Sequence, residues 1–278
     1  MEVPKLTLLS KDQIWEDTAL EVLKKYGKEA AISDLCILTG SHLASTDYNI
    51  EDTSLDSSKR RTSWFWTRSD DNYNDVCMVY VAGGRDYFYR YRRFGAVRPV
   101  IESSAIYSQI SLNKVRGYND TYEVEYGEYP QWAAPEEMQQ ELEEKLTQGT
   151  LNKTRKSYTF DSAKYDDYDT GFRGVTYDEY EYQGRKFIRV KANFFGRRFK
   201  LSNGIGYKNS DYVWVEVSPV KWLLDEKTKT LVSKIGLVSW IQFNSKDKKY
   251  DGNFEKSDMY NLENNMGKTE AERKVLIV

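Results

Sequence analysis

Apolar residues recur at helical spacing near the start of the chain and at every second position from about residue 64 onward. After Leu6-Thr7-Leu8-Leu9, the positions Ala19, Leu20, Val22, Leu23 and Tyr26 predict a helix. Ser10 with Gln13 has the form of a reciprocal N-terminal cap, and Gly27 the form of a stop. A second short segment spans 30–38, and the polar stretch 41–62 reads as a loop running into the aromatic block Trp64-Phe65-Trp66-Thr67-Arg68-Ser69. From there the pattern is β: a strand over 76–81, a tight turn at Gly83-Gly84 and a returning strand over 87–94, paired as a hairpin.

Further along, 122–126 predicts a strand, 127–131 a turn, and 135–147 a charged helix whose end is bracketed by Gly149 and Asn152. A polar, tyrosine-rich span covers 157–174. Residues 179–190 predict a second hairpin turning at Gln183-Gly184, and 212–217, 220–224 and 230–232 continue an antiparallel sheet. Helical patterns close the chain at 255–266 and 268–276. These elements predict an α+β fold of antiparallel sheets with a few flanking helices, divided into units 1–117 and 118–278. Pairing across 102–121 decides whether the units share a core. An internal echo joins them: 6–11 resembles 229–234, and each is followed by a tryptophan, Trp15 or Trp240.

The strand at 87–94 changes the picture from fold to function. Alternation puts Tyr87, Tyr89, Tyr91 and Arg93 on one face and Phe88, Arg90, Arg92 and Phe94 on the other. One face must meet solvent, because several arginines are not buried without partners. Tyrosine and arginine together are the usual material of binding hot spots, while an arginine-decorated edge strand that merely resists aggregation is the structural alternative.

Composition narrows the chemistry. The 278 residues carry 40% hydrophobic and 30% charged positions, and the mean hydropathy is −0.73, as in a folded, water-facing protein. The 41 lysines and arginines nearly balance the 43 aspartates and glutamates, so no global charge draws the chain to nucleic acid or anionic lipid. The first five residues lack the start of a secretory signal, and no apolar run approaches the ~20 residues that cross a bilayer. The expectation is a cytoplasmic protein of a bacterium or its phage, without membrane association.

Catalytic signals are sparse. Two cysteines, Cys36 and Cys77, cannot build a disulfide framework or a four-ligand zinc site, and Cys36 reads as a buried thiol. His42 is the only histidine, so triads, paired-histidine metal sites and proton shuttles all reduce to one turn-like position. The pairs Asp70-Asp71 and Asp166-Asp167 lie in turn-rich stretches that read as solvated loops. Gly267-Lys268-Thr269 lacks the upstream glycine of a phosphate loop, Leu262 standing in its place. The run from Asp70 to Asp75 lacks the sixth-position glycine and twelfth-position glutamate of a calcium loop. No enzymatic activity, cofactor or metal is expected.

Certain motifs resemble a known family. Tyr126-Gly127-Glu128-Tyr129-Pro130-Gln131, with the later Pro219-Val220-Lys221-Trp222-Leu223-Leu224 and Thr230-Leu231-Val232-Ser233-Lys234, resembles the opening half of a bacterial and phage module of unknown function. Trp64 to Ser69 with Gly95-Ala96-Val97-Arg98-Pro99-Val100 resembles its closing half. That module is similar in pattern to the C-type-lectin-like fold of formylglycine-generating enzymes and the variable proteins of diversity-generating retroelements. The closing half comes first here, so the resemblance implies two partial modules or one permuted one.

It also implies that Trp64, Trp66, Arg68 and Arg98 are framework. Tyr87, Tyr89, Arg90, Tyr91, Arg92 and Arg93 then form a recognition surface, with Asp70, Asp71, Asn72 and Tyr73 on a neighbouring loop. The Glu-Pro-Asn, Gln-Pro-Asp and Trp-Asn-Asp motifs of calcium-dependent lectins are absent, and the two cysteines do not resemble the oxidase's copper-binding pair. Non-enzymatic recognition of another protein is therefore the leading expectation. An inhibitor of host defence such as an anti-CRISPR protein is its specific form, and carbohydrate binding or nucleic-acid binding the alternatives.

Overall fold

Ser10 opens the first helix as its side chain predicts. Its hydroxyl accepts the Gln13 amide at 3.3 Å while the Gln13 side-chain carbonyl accepts the Ser10 amide at 2.8 Å. The computed structural model describes residues 5–41, 62–70, 75–80, 83–91, 95–161, 174–193, 198–239, 242–244 and 248–265. The single N-terminal helix expected from apolar spacing is two, α1 (Lys11–Trp15) and α2 (Glu21–Tyr26). Between them the Thr18 hydroxyl and the Leu20 amide bond back to the carbonyls of Asp12 and Gln13 and turn the chain. Gly27 ends α2 at φ 121°. A short strand β1 (Ala31–Ile32) and a buried helix α3 (Asp34–Leu38) follow, the helix capped by the Ser33 hydroxyl on the Cys36 amide.

A three-stranded antiparallel sheet is formed by β2 (Phe65–Asp70), β3 (Asp75–Val79) and β4 (Arg85–Tyr89), in that order. Then come β5 (Val100–Ile101), α4 (Ser104–Ile110), β6 (Val115–Arg116), β7 (Tyr122–Ala133), α5 (Glu136–Thr147), β8 (Asn152–Asp161), β9 (Gly174–Tyr182) and β10 (Arg185–Lys191). The chain continues through β11 (Arg198–Lys200), β12 (Gly206–Lys208), β13 (Tyr212–Asp225), β14 (Thr230–Ser233), β15 (Ile235–Gly236) and α6 (Asp258–Asn265). The large sheet runs β5-β14-β13-β10-β9-β8, with β7 also on β13 and β6 on β7. Its pairings are antiparallel, and β1 with β15 forms a parallel pair. The fold is mixed α+β with mostly antiparallel sheets and few helices.

The expected turn at 127–131 is instead continuous strand. Pro130 and Pro219 lie on facing strands β7 and β13 and cannot donate to a ladder, so the register shifts between Glu216 and Val217 and again between Pro219 and Lys221. The buried Gln131 amide fills the gap, donating to the Ser218 carbonyl (2.8 Å) and the Pro219 carbonyl (3.1 Å). The strands expected at 212–217 and 220–224 are accordingly one strand, β13. Part of the polar span 157–174 is also strand, since β8 reaches Asp161 with Tyr158 and Phe160 buried.

One hydrophobic cluster runs from Leu8 to Met259 and takes residues from both sides of position 117. Segment 6–11 and β14, the two halves of the echo, flank the same strand: Thr7 and Val100 exchange main-chain bonds at 2.9 and 2.7 Å, and Val232 pairs with Val100 on the other side. A small second cluster of Ala134, Leu142, Phe187 and Trp214 seats α5 on the large sheet. No described helix is long and apolar enough to cross a membrane.

Candidate recognition surface

The β3–β4 hairpin turns where the two glycines predict. Gly83, at φ 77°, donates to the Tyr80 carbonyl (2.8 Å), and Tyr80 donates to the Gly84 carbonyl (2.7 Å). Helix α1 clamps this end: the Trp15 indole N–H donates to the Gly83 carbonyl at 3.0 Å, and Arg85 lies over the Trp15 ring while pairing with Glu16 at 2.6 Å. The pairing sets Cys77 against Tyr87 and Asp75 against Tyr89. Phe88 packs on Trp64 (5.2 Å between centroids), which also meets Tyr80 at 5.4 Å.

At the other end Tyr89 is 52% exposed. Its ring lies 5.4 Å from that of Tyr91 at an interplanar angle of 10°, a parallel stack. The strand ends at Tyr89, short of the expected 94. Its continuation is held from a distant part of the chain. The Arg90 carbonyl accepts from the Phe243 and Asn244 amides (2.9 and 3.1 Å), and the Tyr91 carbonyl from the Gln242 side chain (2.8 Å).

Arg90 is half-buried, and its Nε donates to the Lys248 carbonyl at 2.7 Å. That bond helps fasten the backbone beside the tyrosine pair. Tyr87 is half-buried on the same strand. Asp70 ends β2, opposite Val76, which places it at the same end of the sheet as Tyr89. Arg92, Arg93, Asp71, Asn72 and Tyr73 lie outside the described residues, as do His42, Asp166, Asp167 and 267–269.

The aromatic floor beneath this end is Phe243, buried between Trp66 (6.0 Å) and Tyr250 (4.7 Å). Tyr250 donates its hydroxyl to the Arg68 carbonyl at 2.6 Å, and burial, with the nearby Asp70 charge, pushes that hydroxyl above its ordinary value. Arg68 forks onto Glu102 at 2.8 and 2.9 Å. Arg98 is buried against Phe65 and donates to the carbonyls of Ser233 (2.8 Å) and Lys28 (3.2 Å). Burial pushes it down to about 10. The fastening residues Gln242, Phe243, Asn244 and Lys248 carry no local signal, since they meet the hairpin across some 150 positions.

Cys36 and Cys77 are both buried, and desolvation pushes their thiols up to about 12 and about 11. A thiol reagent at pH 8 is expected to label neither in the native protein and both after unfolding; rapid native labelling of either would contradict this burial. The native thiols keep protons that unfolded ones release above 9.0, so stability should fall as pH rises from about 9 towards 11 and 12. Among the described residues, no group of three or more His, Cys, Asp or Glu side chains is placed to hold a metal ion. Comparison with models of known protein families, with curated proteins and with solved structures finds no match to this chain.

Proposed function

We propose that this protein is a recognition module without catalytic chemistry of its own, which grips another protein through the end of the β3–β4 hairpin. The observation that carries this reading is the half-exposed Tyr89 stacked on Tyr91 over a backbone fastened at Arg90 and Tyr91. Two aromatic rings already held in place lose little freedom on binding, which is what makes tyrosine-rich surfaces effective. Arg92 and Arg93 follow the pair in sequence, and Asp70 ends β2 at the same end of the sheet.

A C-type-lectin-like framework, a bacterial or phage origin, a cytoplasmic site of action and a role as an inhibitor of host defence belong to the same proposal. The framework, the phage origin and the inhibitor role rest on the motif resemblance, and the cytoplasmic site on the sequence expectation given above. The buried, protonated thiols support the absence of nucleophilic chemistry at cysteine.

Placing a photo-crosslinking phenylalanine analogue at position 89, and in a control at the exposed Tyr118, tests the surface in a lysate of a bacterial host. One discrete protein adduct at 89, absent at 118 and retained at moderate salt, is the expected result. Equal adducts at both positions would overturn the proposal. Nucleic-acid capture that falls steeply with salt, or glycan capture, would overturn it in favour of the corresponding alternative.

A further inference from the structure

A separate cleft of about 530 Å³ opens where α5 leaves the large sheet. It forms because the helix is seated by only one stripe. Met138, Leu142 and Leu146 pack on Phe187 and Trp214, while Glu136, Gln139, Gln140 and Glu143, spaced along the adjoining face, line the cleft. Gln139 pins the helix to β13, its side chain accepting from the Trp214 amide and donating to the Trp214 carbonyl, both at 2.8 Å. The opposite wall carries Tyr207, Asp211 and Tyr212, and Tyr212 is 49% exposed.

The cleft already shows how a guanidinium is held there. Arg189 lies 3.7 Å over the Tyr212 ring and forks onto Glu143 at 2.9 and 2.7 Å, and the Trp214 indole N–H also donates to Glu143 at 3.1 Å. Among the described residues that line the cleft, Arg189 is the one cation, while Glu136, Glu143 and Asp211 are three carboxylates. Asp211 takes the Lys208 main-chain amide at 2.8 Å, while Glu136 is exposed on the first turn of α5. Both charges act on the Tyr207 hydroxyl. Its hydroxyl is pushed up chiefly by burial, against a lowering hydrogen bond from Asn203, and further by Asp34, Glu136 and Asp211.

We propose that this cleft is a second binding site, which takes the guanidinium of an arginine carried on an extended segment of another protein. A planar cation fits between tyrosine faces and excess carboxylate as no anion or neutral amide does. The inference stands independently of the hairpin reading.

The test is a titration with the blocked tripeptide Gly-Arg-Gly and its citrulline counterpart, followed through the Trp214 indole N–H resonance at low salt. Saturable shifts with the arginine peptide and none with citrulline are expected. Glu136→Gln and Tyr212→Ala, both at exposed positions, should each weaken binding on the order of fivefold, and Tyr89→Ala should leave it unchanged. Equal response to citrulline, no saturable response to arginine, or unaltered binding in both folded variants would overturn the proposal.

Discussion

Trp66→Ala is expected to lower stability by about 3–5 kcal/mol, the usual cost of truncating a large buried aromatic. Trp66 is fully buried, and its main-chain amide bonds to the Ala96 carbonyl at 3.1 Å. Its indole lies between Phe243 and Gly95, where an added Cβ would come within 2.7 Å of the indole nitrogen. Truncation leaves a cavity between the small sheet and the segment that fastens Arg90, so the effect passes from packing to the recognition surface. Gly95→Ala probes the same contact by overpacking and should cost about 1–3 kcal/mol. Chemical denaturation of both variants checks this; a loss below about 1 kcal/mol for Trp66→Ala would contradict the packing described.

Asp34→Ala is expected to cost about 2–4 kcal/mol, through hydrogen bonding instead of volume. The side chain is fully buried at the start of α3. Its oxygens accept the Ala133 amide at 2.8 Å and the Ser202 amide at 3.0 Å, together with the Ser202 hydroxyl. One carboxylate thus ties α3 to the end of β7 and to the chain following β11. Its removal leaves the buried Ala133 N–H without this acceptor. Asp34→Asn keeps one acceptor oxygen and should fall between the wild type and alanine. Denaturation midpoints in that order support the account, and an alanine variant as stable as wild type would contradict it.

Elements written in short-range chemistry were legible in the sequence. Ser10 with Gln13 gives a cap, Gly83-Gly84 a turn, and Gln183-Gly184, at φ 51° and 72°, the hairpin joining β9 and β10. Elements decided by distant partners were not. Pro130 and Gly127 read locally as a turn, yet the strand continues because β7 takes up an extra residue at each register shift against β13 and Gln131 supplies the missing donor.

The candidate surface divides the same way. Alternation places Tyr89 beside Tyr91, but the hold on the Arg90 Nε comes from Lys248, across 158 positions, where no local pattern shows it. The cleft beside α5 left no motif at all. Its residues come from one helix face, one strand of the β9–β10 hairpin, the stretch from Ile205 through β12 to Asp211, and the start of β13.

The most direct measurement is the dissociation constant of the partner captured at position 89, compared between wild type, Tyr89→Ala and Tyr118→Ala. The account predicts a loss of about 2 kcal/mol or more for Tyr89→Ala, roughly thirtyfold, as for a hot-spot tyrosine, with Tyr118→Ala near wild type. Binding within about twofold of wild type for a folded Tyr89→Ala variant would contradict it.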